Sequence, residues 1–506
     1  MLFNSFKFIF CFLPITMVGF HVLGRSGRRP VIAWLALCSV VFYAVWNPVF
    51  VFFLLGSIVV NYLVSIAITS APEGSSRRRQ ILALGVALNL LALFYFKYLY
   101  KTLLLLHTLH LPAPAAHPLL LPLGISFFTF TQISYLVDLA QGQAERQDLL
   151  SYVLFVTFFP HLIAGPILHH KEMMPQFAVG RRFQLIPADV SLGLTWFLFG
   201  LGKKVLIADK LAAQADLAFA HAGSQTAASA WAGLIIYTMQ LYFDFSGYSD
   251  MALGLARIFS IRFPLNFDSP YKATSVTEYW QRWHMTLTRW VTLYLYNPIL
   301  LGVQRRRLAA GKKISRKSLA TVGGFTAMVA YPTIITMLLT GLWHGAGVQF
   351  VIFGLLHGIY LTANQAWRHF RQRKKGVPPE PPTGLLRMAQ RIGVYLQVSF
   401  ALIFFRADST HAAFAMLRDL LGSHGFGHIG TLLDGALGLA LFPVVWFMPN
   451  TQQILGEEPV TTRSPTSLVP RLRWSPNLGW GLVMAVLFFA ILANLGETTS
   501  FLYFQF

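Results

Sequence analysis

The chain has 506 residues, of which 55% are hydrophobic, 15% aromatic and only 12% charged. A soluble domain carries about 25% charged residues, so this composition excludes an ordinary soluble protein. The net charge of +21 comes from 40 Lys and Arg against 19 Asp and Glu; the basic residues cluster in short loops between apolar runs, which is the positive-inside pattern and not a nucleic-acid surface.

Apolar segments of roughly 17–25 residues, the length that crosses a hydrocarbon core, follow one another along the chain. Backbone groups at membrane depth must be paired within the segment, so the spans are helices. The alternation of an outer-membrane barrel is absent. The fold class is therefore an all-α polytopic membrane protein, one membrane domain over residues 1–506. Cys11 and Cys38 sit in apolar runs without a metal or disulfide spacing and read as packing residues.

In chain order, the first helix covers Phe8–Leu23 and reads as retained, because no small-residue cleavage site follows it. Arg25, Arg28 and Arg29, and later Arg77–Arg79, mark cytoplasmic loops, which puts the N-terminus outside the cytoplasm. Between them lies an apolar hairpin, Val31–Trp46 and Val49–Ile68, broken at Asn47-Pro48. Ile81–Leu106 and Leu119–Leu139 follow. Leu149–Leu168 carries Pro160, Gly165 and Pro166 and reads as an interrupted or re-entrant segment. Val190–Ile207 and Ser229–Phe243 are further spans, with Lys203-Lys204 near a membrane edge. Gln304–Lys317 is a strongly basic cytoplasmic loop, Ala320–Leu342 and Phe350–Ala366 are the next spans, and Val377–Pro382 is a stiff linker. Ile392–Phe405, Leu432–Met448 and Leu478–Leu495 end the series, with Arg463, Arg471 and Arg473 before the last, so that the C-terminus also lies outside.

The chemistry concentrates between Glu278 and His357. Two Trp-His pairs occur there, Trp283-His284 and Trp343-His344, in a setting apolar enough for the bilayer. An ionisable residue at membrane depth marks a functional site by default. A neutral imidazole takes a proton from a hydroxyl near neutral pH, and Gly345 and Gly347 leave room beside His344 for a substrate or a backbone. Glu278 and Arg282 lie four apart and pair on one helical face. Asp244, Asp250, Asp268 and Glu278 gather within a short stretch of an acid-poor chain; they either lock helices or support catalysis. No Gly-x-Ser-x-Gly elbow or phosphate-binding P-loop is present. The residues alone describe an intramembrane proton-transfer site and leave enzyme and proton-coupled polysaccharide or lipid transporter both open.

Several ordered motifs then narrow the choice. They are Phe12-Leu13-Pro14, Leu123-Gly124-Ile125-Ser126-Phe127, Ala164-Gly165-Pro166-Ile167, the run from Tyr242 to Asp250, Trp280-Gln281-Arg282-Trp283-His284 and Gly341-Leu342-Trp343-His344-Gly345. Together they resemble the membrane-bound O-acyltransferase family, in particular its bacterial alginate and cellulose O-acetylation branch, with teichoic acid D-alanylation proteins as more distant kin. The resemblance implies a helical bowl of about 11 transmembrane helices with re-entrant segments and a central tunnel. It also implies an inner-membrane acetyltransferase that uses cytoplasmic acetyl-CoA, acting with a periplasmic SGNH-type transferase and polysaccharide export machinery. His344 is then the catalytic base on the tunnel, His284 its cytoplasmic-side partner, and Tyr503 in the 501–506 motif a candidate acyl relay. Asp244, Glu278, Arg282 and Trp343 are supporting residues, and neither a metal nor a permanently bound cofactor is implied. Peptidoglycan O-acetylation or D-alanyl transfer by the same mechanism is the alternative.

Overall fold

The computed structural model describes residues 1–115, 117–178, 183–375, 383–428, 435–457, 472–497 and 501–502, and among these every regular element is a helix. Six helices are long and apolar enough to cross a membrane: Phe8–Ser26, Pro48–Ser70, Ser76–Lys97, Pro187–Ala220, Val322–His344 and Gly384–Arg406. Ile125–Ala140, Ala436–Phe447 and Leu478–Asn494 are shorter apolar helices. Tyr503, Arg463, Arg471 and the Val377–Pro382 linker lie outside the described residues.

The molecule is built around the Ala227–Ile258 helix, 32 residues long and buried along nearly its whole length. At 1.5 Å per residue it runs for about 48 Å. Sequence reading stops this span at Phe243, yet the helix continues through Asp244, Gly247 and Asp250. The reason is its partner, the antiparallel Pro187–Gly202 helix. A Cβ on Gly193 would stand 2.6 Å from the Gly254 carbonyl oxygen, and one on Gly200 would stand 2.5 Å from that of Gly247. These glycines, seven residues apart on each helix, let the two backbones touch. Small residues serve this purpose in membrane helices, where apolar burial cannot drive association.

Lys203 and Lys204, read from the sequence as near a membrane edge, are turned into the helix packing and paired there. They lie in a π-helical turn, Lys203–Ala208, that faces the central helix, and Lys204 is fully buried. Lys203 pairs with Asp250 at 2.6 Å, and Lys204 with Asp244 at 2.7 Å and Asp209 at 2.8 Å. A buried charge persists only when paired, so these contacts explain how carboxylates survive mid-helix.

A second glycine-lined pair brings the other half of the site into place. Tyr331–His344 packs antiparallel on Val348–Lys375, with a Cβ on Gly341 meeting the Phe350 carbonyl oxygen at 2.2 Å and one on Gly354 meeting that of Met337 at 2.3 Å. The interrupted segment is interrupted as expected: Leu149–Thr157 and Phe159–Leu162 are short helices, and the chain is irregular from there to His169. Ile81–Leu106 is not continuous, because the helix breaks at Tyr98 between Ser76–Lys97 and Leu99–Thr108. Cys38 is buried, but Cys11 is exposed on the apolar surface and does not pack inside.

Candidate functional site

His344 is the last residue of the Tyr331–His344 helix and is buried. Its ring lies 4.7 Å from Trp343, 5.0 Å from Phe405 and 5.9 Å from Phe353, centre to centre. Trp343 stacks on Phe130 at 5.1 Å, and Phe130 stacks on Trp290 at 3.8 Å with the planes 4° apart. The result is an aromatic wall on one side of the imidazole. The space beside Gly345 is filled by the Phe350 ring, 2.1 Å from where a Cβ would stand. That glycine therefore admits a side chain of the protein, and the sequence expectation of substrate room there is replaced by packing.

His284 sits outside any helix, between Val276–Trp280 and Met285–Val291, so the segment read as amphipathic is two short helices with a break. Its φ of 44° is left-handed. A residue with a Cβ is uncommon in that region, and strain of this kind clusters at functional sites. What holds it there is a partner strand of chain, residues 266–269. Met285 N–H donates to the Asn266 carbonyl at 2.9 Å, and Asp268 N–H to the Arg282 carbonyl at 2.9 Å. Asn266 Oδ1 lies 2.9 Å from His284 Nδ1 and also accepts the Thr286 hydroxyl at 3.0 Å. The ring is closed in by Phe245 at 4.8 Å. One amide side chain thus sets the imidazole's orientation.

Arg282 makes the predicted contact with Glu278 at 2.9 Å and reaches Asp268 at 3.2 Å. It ties the two loops together, so Glu278 and Arg282 brace the His284 loop. Asp244 is equally structural on one side, through Lys204, but its second oxygen accepts the backbone N–H of Leu502 at 3.0 Å. Phe501 stacks edge-on to Tyr248 at 4.8 Å, with the Lys204 ammonium 4.6 Å from its ring centre. The chain just before Tyr503 is therefore docked on the central helix.

Sequence reasoning named His357 without assigning it a role. It is buried on Val348–Lys375 and its Nδ1 accepts the Trp280 indole N–H at 3.2 Å. Phe353 stands between His357 and His344, with ring centres 4.7 Å from the one and 5.9 Å from the other. No cluster among the described residues has the geometry to hold a metal ion.

An open cavity of about 560 Å³ adjoins the His284 loop and is lined by Trp196, Arg257, Arg262, Trp280, Thr286 and Arg289, among others. Arg257 is paired with Asp189 at 3.0 Å and Arg289 with Glu172. The Arg262 side chain is exposed and makes no ion pair among the described residues. Gln176 bonds both backbone groups of Arg262 at 2.8 Å, and Arg28 donates to the neighbouring Phe177 carbonyl at 2.7 Å, so the cavity opens on the face that carries the first basic loop.

The membrane-bound O-acyltransferase family model matches residues 89–405, which include both histidines and the central helix. A peptidoglycan O-acetyltransferase of Helicobacter pylori is 37% identical, over 84% of this chain and 80% of its own length. The chain belongs to the membrane-bound O-acyltransferase family. It is a multi-pass membrane acyltransferase. A probable alginate O-acetylase, AlgI, of Pseudomonas aeruginosa is 35% identical over 92% of this chain and 84% of its own length. A teichoic acid D-alanyltransferase of Streptococcus thermophilus is 25% identical over 56% of this chain and 67% of its own. Membership of an acyltransferase family makes the enzyme reading the one to develop over the transporter.

Proposed function

We propose that this protein is an inner-membrane O-acetyltransferase that takes an acetyl group from cytoplasmic acetyl-CoA and delivers it across the membrane for O-acetylation of an exported polysaccharide of the alginate type. One arrangement supports the reading most: two buried imidazoles, His284 and His344, stand on elements joined by the ring contacts Trp280–His357, His357–Phe353 and Phe353–His344, and an arginine-lined cavity adjoins the His284 loop on the basic face. A thioester donor with phosphate groups needs guanidinium partners at its mouth and a neutral base at its reactive end.

In this account Arg262 meets the phosphates, the pantetheine arm runs past His284 through a central tunnel in a bowl of about 11 transmembrane helices, and the thioester reaches His344. The imidazole takes the phenol proton of Tyr503 as the phenol oxygen attacks the thioester carbonyl. The C–S bond breaks, the coenzyme sulfur leaves with the proton from His344, and acetyl-Tyr503 remains. The ester is then passed to a hydroxyl on the outer side, through a periplasmic SGNH-type transferase, with both chain ends on that side. Docking of Phe501–Leu502 on Asp244 and Lys204 supports a fixed position for the relay. The alternative acceptor is peptidoglycan, and the similarity to the Helicobacter protein favours keeping it.

The experiment is labelling of the purified chain with radiolabelled acetyl-CoA, wild type against Tyr503→Phe. The expected result is alkali-labile label on wild type and none on Tyr503→Phe, with one equivalent of free coenzyme A released by wild type and none by Tyr503→Phe. Equal label on both chains would remove the relay. Absence of coenzyme A release by wild type with its partner transferase present would remove acetyl-CoA as donor.

A further inference from the structure

Arg257, Arg262 and Arg289 line the cavity beside the His284 loop, and Glu457 is the carboxylate among its described lining residues. The acids that balance these arginines are held with different firmness. Both oxygens of Glu172 engage Arg289, and the same carboxylate takes the His169 N–H at 3.1 Å. Arg257 shares its Nη2 between two acids, Asp189 at 3.0 Å and Glu457 at 3.4 Å. Asp189 lies in the first turn of the Pro187–Gly202 helix, where the partial positive charge favours a carboxylate. Glu457 has the longer contact and the more exposed side chain, 31% against 18%.

The backbone beneath Glu457 is fixed. In the short helix Thr451–Leu455, the Thr451 hydroxyl donates to Asp250 at 2.7 Å and the Gln452 amide donates to the Phe267 carbonyl at 2.8 Å. Gly456 then turns left-handed at a φ of 74°, and the Glu457 N–H closes on the Gln452 carbonyl at 3.0 Å. The part left to move is the carboxylate side chain on the cavity wall. A phosphate takes a guanidinium through two parallel hydrogen bonds, against the single 3.4 Å contact of Glu457. A carboxylate left beside that phosphate repels it. We propose that Glu457 is a displaceable counter-ion of the donor cavity: it holds Arg257 between turnovers, yields it to the phosphates of the donor, and takes it back as coenzyme A leaves. Arg257 keeps Asp189 throughout, so its packing survives the exchange. Glu457 thereby weakens the hold on coenzyme A and speeds its release. This inference rests on the reading of the cavity as the entry for acetyl-CoA.

The test measures binding of radiolabelled coenzyme A to the full chain in detergent, for wild type, Glu457→Gln and Glu73→Gln. The last variant removes the same charge from an exposed acid on a different cavity. The expected result is binding about threefold tighter in Glu457→Gln, carried by slower dissociation and shrinking at high salt. The thermal midpoint of Glu457→Gln, and the affinity of Glu73→Gln, stay as in wild type. Equal or weaker binding in Glu457→Gln would overturn the proposal. So would the same gain in Glu73→Gln, which would make it an effect of net charge alone. Failure of all three chains to bind coenzyme A saturably would instead remove the reading of the cavity as the donor entry, a result separable from any difference between the variants.

Discussion

Asp244 divides its two oxygens between a buried cation and a backbone amide: one takes the Lys204 ammonium at 2.7 Å, the other the Leu502 N–H at 3.0 Å. The carboxylate thereby couples the central helix to the chain immediately before Tyr503. Removing one partner of a buried pair costs about 3–5 kcal/mol; Lys204 keeps Asp209, so the loss is expected near the lower end. Asp244→Ala should lower the thermal midpoint and also abolish label at Tyr503. Asp244→Asn, which retains an acceptor for Leu502, should label more than Asp244→Ala when the two are compared at equal folded fraction.

The glycine contacts make a prediction about packing alone. Gly200→Ala puts a methyl group 2.5 Å from a backbone oxygen, where no side chain can give way. Overpacking of this kind costs about 1–3 kcal/mol. Gly302 has open space around it and its substitution by alanine should be silent. Thermal denaturation in detergent separates the two; equal midpoints would contradict the helix contact.

His284 allows the backbone and the imidazole to be tested apart. The left-handed conformation costs a residue with a Cβ about 1–2 kcal/mol, and glycine escapes it. His284→Gly should therefore be more stable than His284→Ala by about 1 kcal/mol. Both should lose transfer, because neither carries the ring held by Asn266. A fully active glycine variant would leave the imidazole without a part in the reaction.

Arg262 is the guanidinium of the cavity without an ion pair among the described residues. A charge-assisted hydrogen bond is worth about 1.5–3 kcal/mol. Arg262→Ala should raise KM for acetyl-CoA by about tenfold or more and leave kcat near wild type, whereas Arg257→Ala and Arg289→Ala should also destabilise the fold through Asp189 and Glu172. Steady-state kinetics on the three variants decides this, and an unchanged KM in Arg262→Ala would place the phosphates elsewhere.

Much of this molecule was legible because a bilayer simplifies the reading. Apolar length marks helices, and costly polar residues mark the site, so His284, His344 and the Leu149–Leu168 interruption stood out. The continuation of the central helix did not, since Asp244, Ser246, Gly247 and Asp250 have the composition of a loop. Only the lysines at 203 and 204 and the glycine contact at 200 make that stretch helical, and none of these is local. Glu457 escaped notice for the same reason: its partner, Arg257, is far back in the chain. The roles of Glu278 and Arg282 were half legible. Their spacing gave the ion pair, but the third member, Asp268, turns the pair into a brace between loops.

The most direct test of the whole account is donor consumption by wild type and His344→Ala, reconstituted with the partner transferase and radiolabelled acetyl-CoA. The account predicts coenzyme A release by wild type and a loss of at least about 10²-fold in His344→Ala with the chain still folded. Release at equal rates would contradict it, because the buried imidazole at the end of the Tyr331–His344 helix would then take no part in moving the acyl group.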